Sequence, residues 1–260
     1  MTVLTLLPAR TELGYALFSG SSRAPAWVGS SGDYRGLKDA RTALTRLRAR
    51  LPVAALGSVD AIGVRLPFGG ELFPCAERLS ADARRRLAAL TPSAPLALPA
   101  ALGLLEACDD VFSGTPVVLV FETSFFVDLP LRERLYAMDC ARQGTHGLRR
   151  YGYHGLFHQA AAAAAAHEQT GGRMVSVCLE PRPEIAAVAD GRPVTVTGGA
   201  TPLEGLPGQS SCGEIDPAIV LVLARAYGWG PEQINHVLTR ESGLSGLAGE
   251  RVSLLDVLTS

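Results

Sequence analysis

The run Thr115-Pro116-Val117-Val118-Leu119-Val120-Phe121-Glu122-Thr123-Ser124-Phe125 is apolar without a break over residues 117–121. Five apolar residues after a proline, mostly β-branched, predict a short strand buried on both faces, as in a sheet covered by helices on either side. Charge returns at Glu122, at the end of that strand, where α/β proteins gather their chemistry. Toward the N-terminus, residues 99–108 and 80–90 read as helices, the second opened by Ser80, whose hydroxyl can accept from a first-turn amide. Residues 60–65 read as a strand running into Phe68-Gly69-Gly70. A helix over 35–51 carries Leu37, Ala40, Leu44, Leu47 and Leu51 at helical spacing, with Pro52 as its stop. Short strands at 2–7, 13–18 and 26–28 form an opening meander. Toward the C-terminus, residues 132–138 read as helical, and the alanine tract 160–166 as one face of a packed helix. Strands follow at 174–179, 185–189 and 193–197, with Asp190-Gly191 turning between the second and third, and then helices at 217–227 and 232–240. The order describes an α/β chain of two similar halves, each opening with a β-meander.

The 260 residues are 47% hydrophobic and 19% charged, a composition that builds a core and excludes intrinsic disorder. The formal net charge is −1, so no basic balance points to nucleic acid. Lys38 is the single lysine, which removes any lysine-centred mechanism built elsewhere. Cys75, Cys108, Cys140, Cys178 and Cys212 are odd in number and widely spaced, without a C-x-x-C pair, so neither a disulfide scaffold nor a zinc site is expected. Residues 1–10 do not read as a signal peptide, and no apolar run approaches the ~20 residues of a membrane helix. The expectation is a cytoplasmic protein with reduced thiols.

Three segments go beyond generic α/β sequence: Phe121-Glu122-Thr123-Ser124-Phe125, Arg149-Arg150-Tyr151-Gly152-Tyr153-His154-Gly155, and Thr201-Pro202-Leu203-Glu204-Gly205-Leu206 followed by Gly213-Glu214-Ile215-Asp216-Pro217. In this order and spacing the chain resembles the acetate kinase (acetokinase) family of the actin-like ATPase superfold. Ala61-Ile62-Gly63-Val64-Arg65 ahead of Gly69-Gly70, and Glu241-Ser242-Gly243-Leu244-Ser245-Gly246-Leu247, extend the match. The resemblance implies an actin-like ATPase (ribonuclease H-like) α/β domain over residues 1–126 and a truncated second copy over 127–260, the part through which such proteins dimerise. It implies phosphoryl transfer between ATP and a small carboxylate, chemistry that rests on positioning and charge neutralisation. It places a site arginine on Arg65, the acidic residue near metal and nucleophile on Glu122, and a phosphoryl-stabilising histidine on His154, flanked by Tyr153 and Gly155 as substrate-binding neighbours.

The departures are as specific as the match. Where the family has an Asn-Ala-Gly-Ser-Ser-Ser phosphate loop, this chain has Leu7-Pro8-Ala9-Arg10-Thr11-Glu12. A proline without an N–H and a carboxylate replace residues whose amides approach phosphate. A second loop, His-Leu-Gly-Asn-Gly in the family, reads Cys178-Leu179-Glu180-Pro181-Arg182. A second family arginine falls on Ser211, and a His-Asn pair on the segment Leu96-Ala97-Leu98-Pro99. The chain also stops at Ser260, before the family's glycine-rich adenosine loop, and no G-x-x-x-x-G-K-[ST] or G-x-G-x-x-G motif replaces it. ATP and Mg²⁺ are therefore expected to bind weakly or not at all.

Two classes of function follow. One is a repurposed enzyme that holds a small carboxylate or acyl phosphate, with Glu122 and His154 for acid/base chemistry and Arg65 for charge. The other is a structural or regulatory subunit, expected to form a homodimer through its second domain. A divergent acetate or propionate kinase would need a partner chain for nucleotide contacts. Bland readings stand beside these: Arg65 as an ion-pair partner of Glu122, His154 as a satisfied buried histidine, His158 and Asp216 as supporting or helix-capping residues. Cys212 reads as a turn residue before a nucleophile, Cys178 as a buried strand residue, and Arg84-Arg85-Arg86 as a solvated helix face.

Overall fold

The computed structural model describes residues 1–9, 12–31, 39–52, 59–94, 97–139, 141, 147–168, 172–179 and 182–259. The chain divides into two units, Met1–Val127 and Asp128–Ser260.

In the first unit β1 (Thr2–Pro8), β2 (Leu13–Ser19) and β3 (Trp27–Ser31) form the expected meander, followed by α1 (Ala40–Arg50), β4 (Ala61–Leu66), β5 (Glu77–Arg78), α2 (Ala81–Ala89), α3 (Leu98–Val111) and β6 (Val117–Phe121). The six strands lie in the order β3-β2-β1-β4-β6-β5. β1, β4 and β6 run parallel, with Leu6 opposite Val64 and Val64 opposite Leu119, while the meander and β5 pair antiparallel. The apolar run lies inside this sheet, and Val117, Leu119 and Phe121 are buried with Val118 and Val120 half-buried. Leu4, Leu6, Ile62, Val64 and Leu119 of the strands and Leu44, Leu47, Leu104 and Leu105 of the helices are all buried in the core, each such side chain contributing about 2 kcal/mol by burial. α1 ends because Leu51 turns extended (φ −56°, ψ 138°) ahead of Pro52. Ser80 caps α2 by accepting the Ala83 amide at 3.0 Å. Leu37 and Lys38 lie outside the described residues.

The second unit runs α4 (Leu131–Arg134), α5 (Gly155–His167), β7 (Arg173–Cys178), β8 (Glu184–Ala189), β9 (Arg192–Val196), α6 (Pro217–Ala226), α7 (Pro231–Arg240), α8 (Gly243–Ala248) and α9 (Leu254–Thr259). Its sheet is an antiparallel meander in the order β7-β8-β9, and among the described residues β7 is an end strand. Ser176 and Cys178 turn inward from β7, while Val175 and Val177 on the alternate face are exposed. α6 likewise exposes Ile219, Leu221 and Val222 and buries none of its residues.

Three readings are corrected. The helix expected over 132–138 lasts one turn, because Leu135 adopts extended angles (φ −90°, ψ 143°) and Tyr136 is drawn to Glu204. The alanine tract is helical, but α5 buries only Gly155, His158 and Ala162. Arg86 is more than a solvated side chain: it pairs with Asp82 and Glu77 and lies 4.6 Å over the Phe73 ring. No helix among the described residues is long and apolar enough to cross a membrane.

Candidate functional site

In the first unit β4 and β6 end side by side, with Leu66 opposite Phe121. The Glu122 amide donates to the Leu66 carbonyl at 2.9 Å, which holds the carboxylate at the strand ends. Glu122 is 4% exposed, and its Oε1 accepts from Nε of Arg65, whose side chain is 38% exposed. The ion pair weighed from sequence is therefore present. A guanidinium has five donors, so one committed to Glu122 leaves others for an anion. Thr123 Oγ1 accepts the Gly69 amide at 3.0 Å, fastening the loop after β4 to the end of β6. Gly69 permits this approach, since a Cβ there would stand 2.7 Å from the Phe121 ring.

Parallel pairing carries the β1–β2 turn to this same C-terminal edge. The described residues of the turn offer a phosphate few donors. Pro8 has no N–H, the Ala9 amide donates to the Glu12 carbonyl at 2.9 Å, and Glu12 adds an exposed carboxylate. Arg10 and Thr11 lie outside the described residues. Among the described residues no cluster of three or more His, Cys, Asp or Glu side chains is placed to hold a metal ion.

In the second unit His154 is the N-cap residue of α5, 8% exposed, with its side chain making no capping bond. Gly155 is the buried first residue of the helix. The Tyr153 hydroxyl donates to the Ala200 carbonyl at 2.6 Å, and burial pushes its phenol above the ordinary range. Beneath this segment sits Glu184, a residue the sequence reading passed over. It accepts the Tyr153 amide at 2.8 and 3.1 Å and the His154 amide at 2.8 Å. His158 Nε2 faces its Oε1 at 3.5 Å, and His158 Nδ1 lies 2.8 Å from Ser176 Oγ, which gives His158 the supporting role weighed from sequence. Burial raises the Glu184 carboxyl, but His158, the two amides and the nearby His154 outweigh it and hold the group below the usual glutamate range. One acidic residue directly ahead of the apolar Ile185-Ala186-Ala187-Val188 was the available signal.

Other readings resolve locally. Cys178 is buried and Leu179 exposed, while Glu180 and Pro181 lie outside the described residues. Crowding pulls the Arg182 guanidinium below the ordinary arginine range, against Tyr153 and Glu184, which favour its charge; its residue surface is exposed, so it stays cationic. Ser211 is buried, and its carbonyl accepts the Gly208 amide at 3.0 Å. Asp216 caps α6 by accepting the Ala218 amide at 2.8 Å. Burial raises the Cys212 thiol, which disfavours the thiolate a nucleophile needs. Glu204 of the third segment binds Arg150 at 2.7 Å and accepts the Tyr136 hydroxyl, fixing two motifs together. A shallow depression lined by Ala162, Met174, Val188 and Asp190 lies at the opposite end of the β7–β8 hairpin from Glu184 and carries none of these groups.

An antiparallel meander continued by parallel strands, with charged groups at the parallel strand ends, defines an actin-like ATPase fold, and comparison with known proteins agrees. The acetate kinase of Pseudomonas aeruginosa (strain LESB58) is 38% identical over 215 residues, 81% of this chain and 54% of that relative. That of Arthrobacter sp. (strain FB24) is 36% identical over 225 residues, 84% of this chain and 58% of that relative. The crystal structure of Porphyromonas gingivalis acetate kinase superposes with a TM-score of 0.87 at 25% identity, covering 99% of this chain and 72% of that one. A propionate kinase from Francisella tularensis gives a TM-score of 0.89 at 26% identity, with the same coverage. Residues 31–259 match the sequence model of the acetokinase family, and the chain belongs to that family. It spans about half the length of the curated relatives it matches.

Proposed function

We propose that this acetokinase-family chain binds a small carboxylate or acyl phosphate at the ends of β4 and β6 and does not itself carry out ATP-dependent phosphotransfer. The observation that carries the reading is the half-exposed Arg65 tied to buried Glu122, on the sheet edge where the β1–β2 turn presents Pro8 and Glu12. Arg65 supplies a planar cation matched to carboxylate or phosphate oxygens, and Glu122 orients it and serves as acid or base. In the second unit, the family resemblance gives His154, with Tyr153 and Gly155 beside it, a phosphoryl-stabilising role. Relatives named acetate kinase and propionate kinase make short-chain carboxylates the substrate class to try first. Hydrolysis, elimination and acyl transfer all suit a site of this kind.

Titration calorimetry with acetyl phosphate, run without ATP, tests the first half of the proposal. Binding that disappears in Arg65→Ala supports it, and binding that survives unchanged overturns it. ATP with Mg²⁺ is expected to leave the melting temperature unmoved, and formation of ADP from ATP and acetate would overturn the second half. A structural or regulatory subunit is the second reading, favoured by the exposed Ile219, Leu221 and Val222 of α6. Light scattering showing a homodimer would support it, and a monomer would count against it.

A further inference from the structure

His154 can serve a reaction only if it is held in place, and its backbone amide is bound by the carboxylate of Glu184, 30 residues along the chain. The enclosure of Glu184 is complete on four sides. The Tyr153 and His154 amides donate to it at 2.8 Å each, His158 Nε2 faces it at 3.5 Å, and Gly198 closes the last side. A Cβ at Gly198 would stand 2.2 Å from Oε2, so this glycine leaves the volume that the carboxylate fills. Glu184, His154 and His158 are 4%, 8% and 0% exposed, and Ser176 behind His158 is 4% exposed. A buried carboxylate in such surroundings is retained only with its donors satisfied. Two consecutive amides converging on one carboxylate also fix two successive peptide planes. His154 has angles between strand and helix (φ −121°, ψ 34°), so those planes set the direction in which its Cβ leaves the backbone.

We infer that Glu184 is the positioning residue for His154: its carboxylate, clamped on the Tyr153 and His154 amides and backed by His158, orients the imidazole at the start of α5. The inference rests on the reading of His154 as a group that meets substrate. Glu184 is buried beneath the segment and acts through the backbone of its neighbours. Its carboxylate takes the place at the helix start that an external anion would otherwise occupy. His158 and Ser176 in turn keep the carboxylate from swinging toward β7.

Amide resonances of the whole protein test the clamp without reference to activity. In the native chain the Tyr153 and His154 amide protons should lie downfield and follow a single titration belonging to Glu184. In Glu184→Gln that titration should vanish while the circular dichroism spectrum is retained. Gly198→Ala serves as the second variant: it keeps the carboxylate, crowds it off the amides, and should move the same two resonances. If either folded variant leaves both amides titrating as before, the clamp is overturned. Acetyl phosphate titration then tests the consequence. Glu184→Gln should weaken binding by about tenfold, the size of one lost charge-assisted hydrogen bond, and adding it to His154→Ala should cost nothing further. Additive losses in that double variant overturn positioning through His154. Native binding in His154→Ala, with the amide titration present, supports the clamp and removes the functional reading of His154 alone.

Discussion

Arg65→Ala leaves the Glu122 carboxylate buried without its guanidinium, whereas Glu122→Gln removes the charge along with the need for a partner. Breaking a fully buried pair costs ~3–5 kcal/mol, and the partial exposure of Arg65 scales this down to about 2 kcal/mol. The expected order of denaturant midpoints is therefore native highest and Arg65→Ala lowest, with the double variant Arg65→Ala/Glu122→Gln recovering part of the loss. Glu184 gives a pH signature of opposite character to a histidine switch. Its folded carboxyl titrates below the unfolded value of about 4.3, so the stability it contributes is fully present above that pH and is lost as pH falls through the lower, folded value. Urea midpoints measured across the acid range should show a shallower fall for Glu184→Gln than for the native chain. Arg65, Glu122 and His154 could be named from sequence because they stand inside motifs of fixed spacing. Glu184 could not, because its partners are main-chain amides 30 and 31 residues away, and backbone donors leave no letter in a sequence.

Elements were legible where the chemistry is local. The Ser80 cap is one side chain acting on an amide three residues on, and it stands as read. Ser80→Ala should cost about 1 kcal/mol, measurable as a lowered denaturant midpoint with an unchanged slope. β6 was legible for a related reason: an unbroken apolar run bounded by Pro116 and Glu122 has few alternatives to a buried strand. Where an element is set by distant groups, the reading failed. Residues 132–138 have a helical composition, yet Tyr136 forms hydrogen bonds with Glu204 and the Ala200 amide, and those partners lie 68 and 64 residues further along the chain. β5 is two residues long, paired to β6 at Leu119 and Val118, too short for any periodicity to register.

Each unit has a sheet of its own, and among the described residues no strand is shared between the two sheets. A chain built in this way does not meet the usual condition for all-or-none unfolding. The two tryptophans fall one to a unit, Trp27 on β3 and Trp229 ahead of α7, so each reports on one unit. Fluorescence of Trp27→Phe and of Trp229→Phe in increasing denaturant should give two different midpoints, and coincident curves would show the units unfolding together. The end position of β7 has a further consequence, for behaviour at high concentration. Its alternate face presents Val175 and Val177 to water beside an edge with no neighbouring strand among the described residues. Such an edge is a template on which another chain's backbone can add, the first step toward insoluble aggregates, and a lysine placed there blocks the addition. Val175→Lys should raise the concentration at which the protein remains clear on storage, read as turbidity, without shifting its denaturant midpoint by more than about 0.5 kcal/mol.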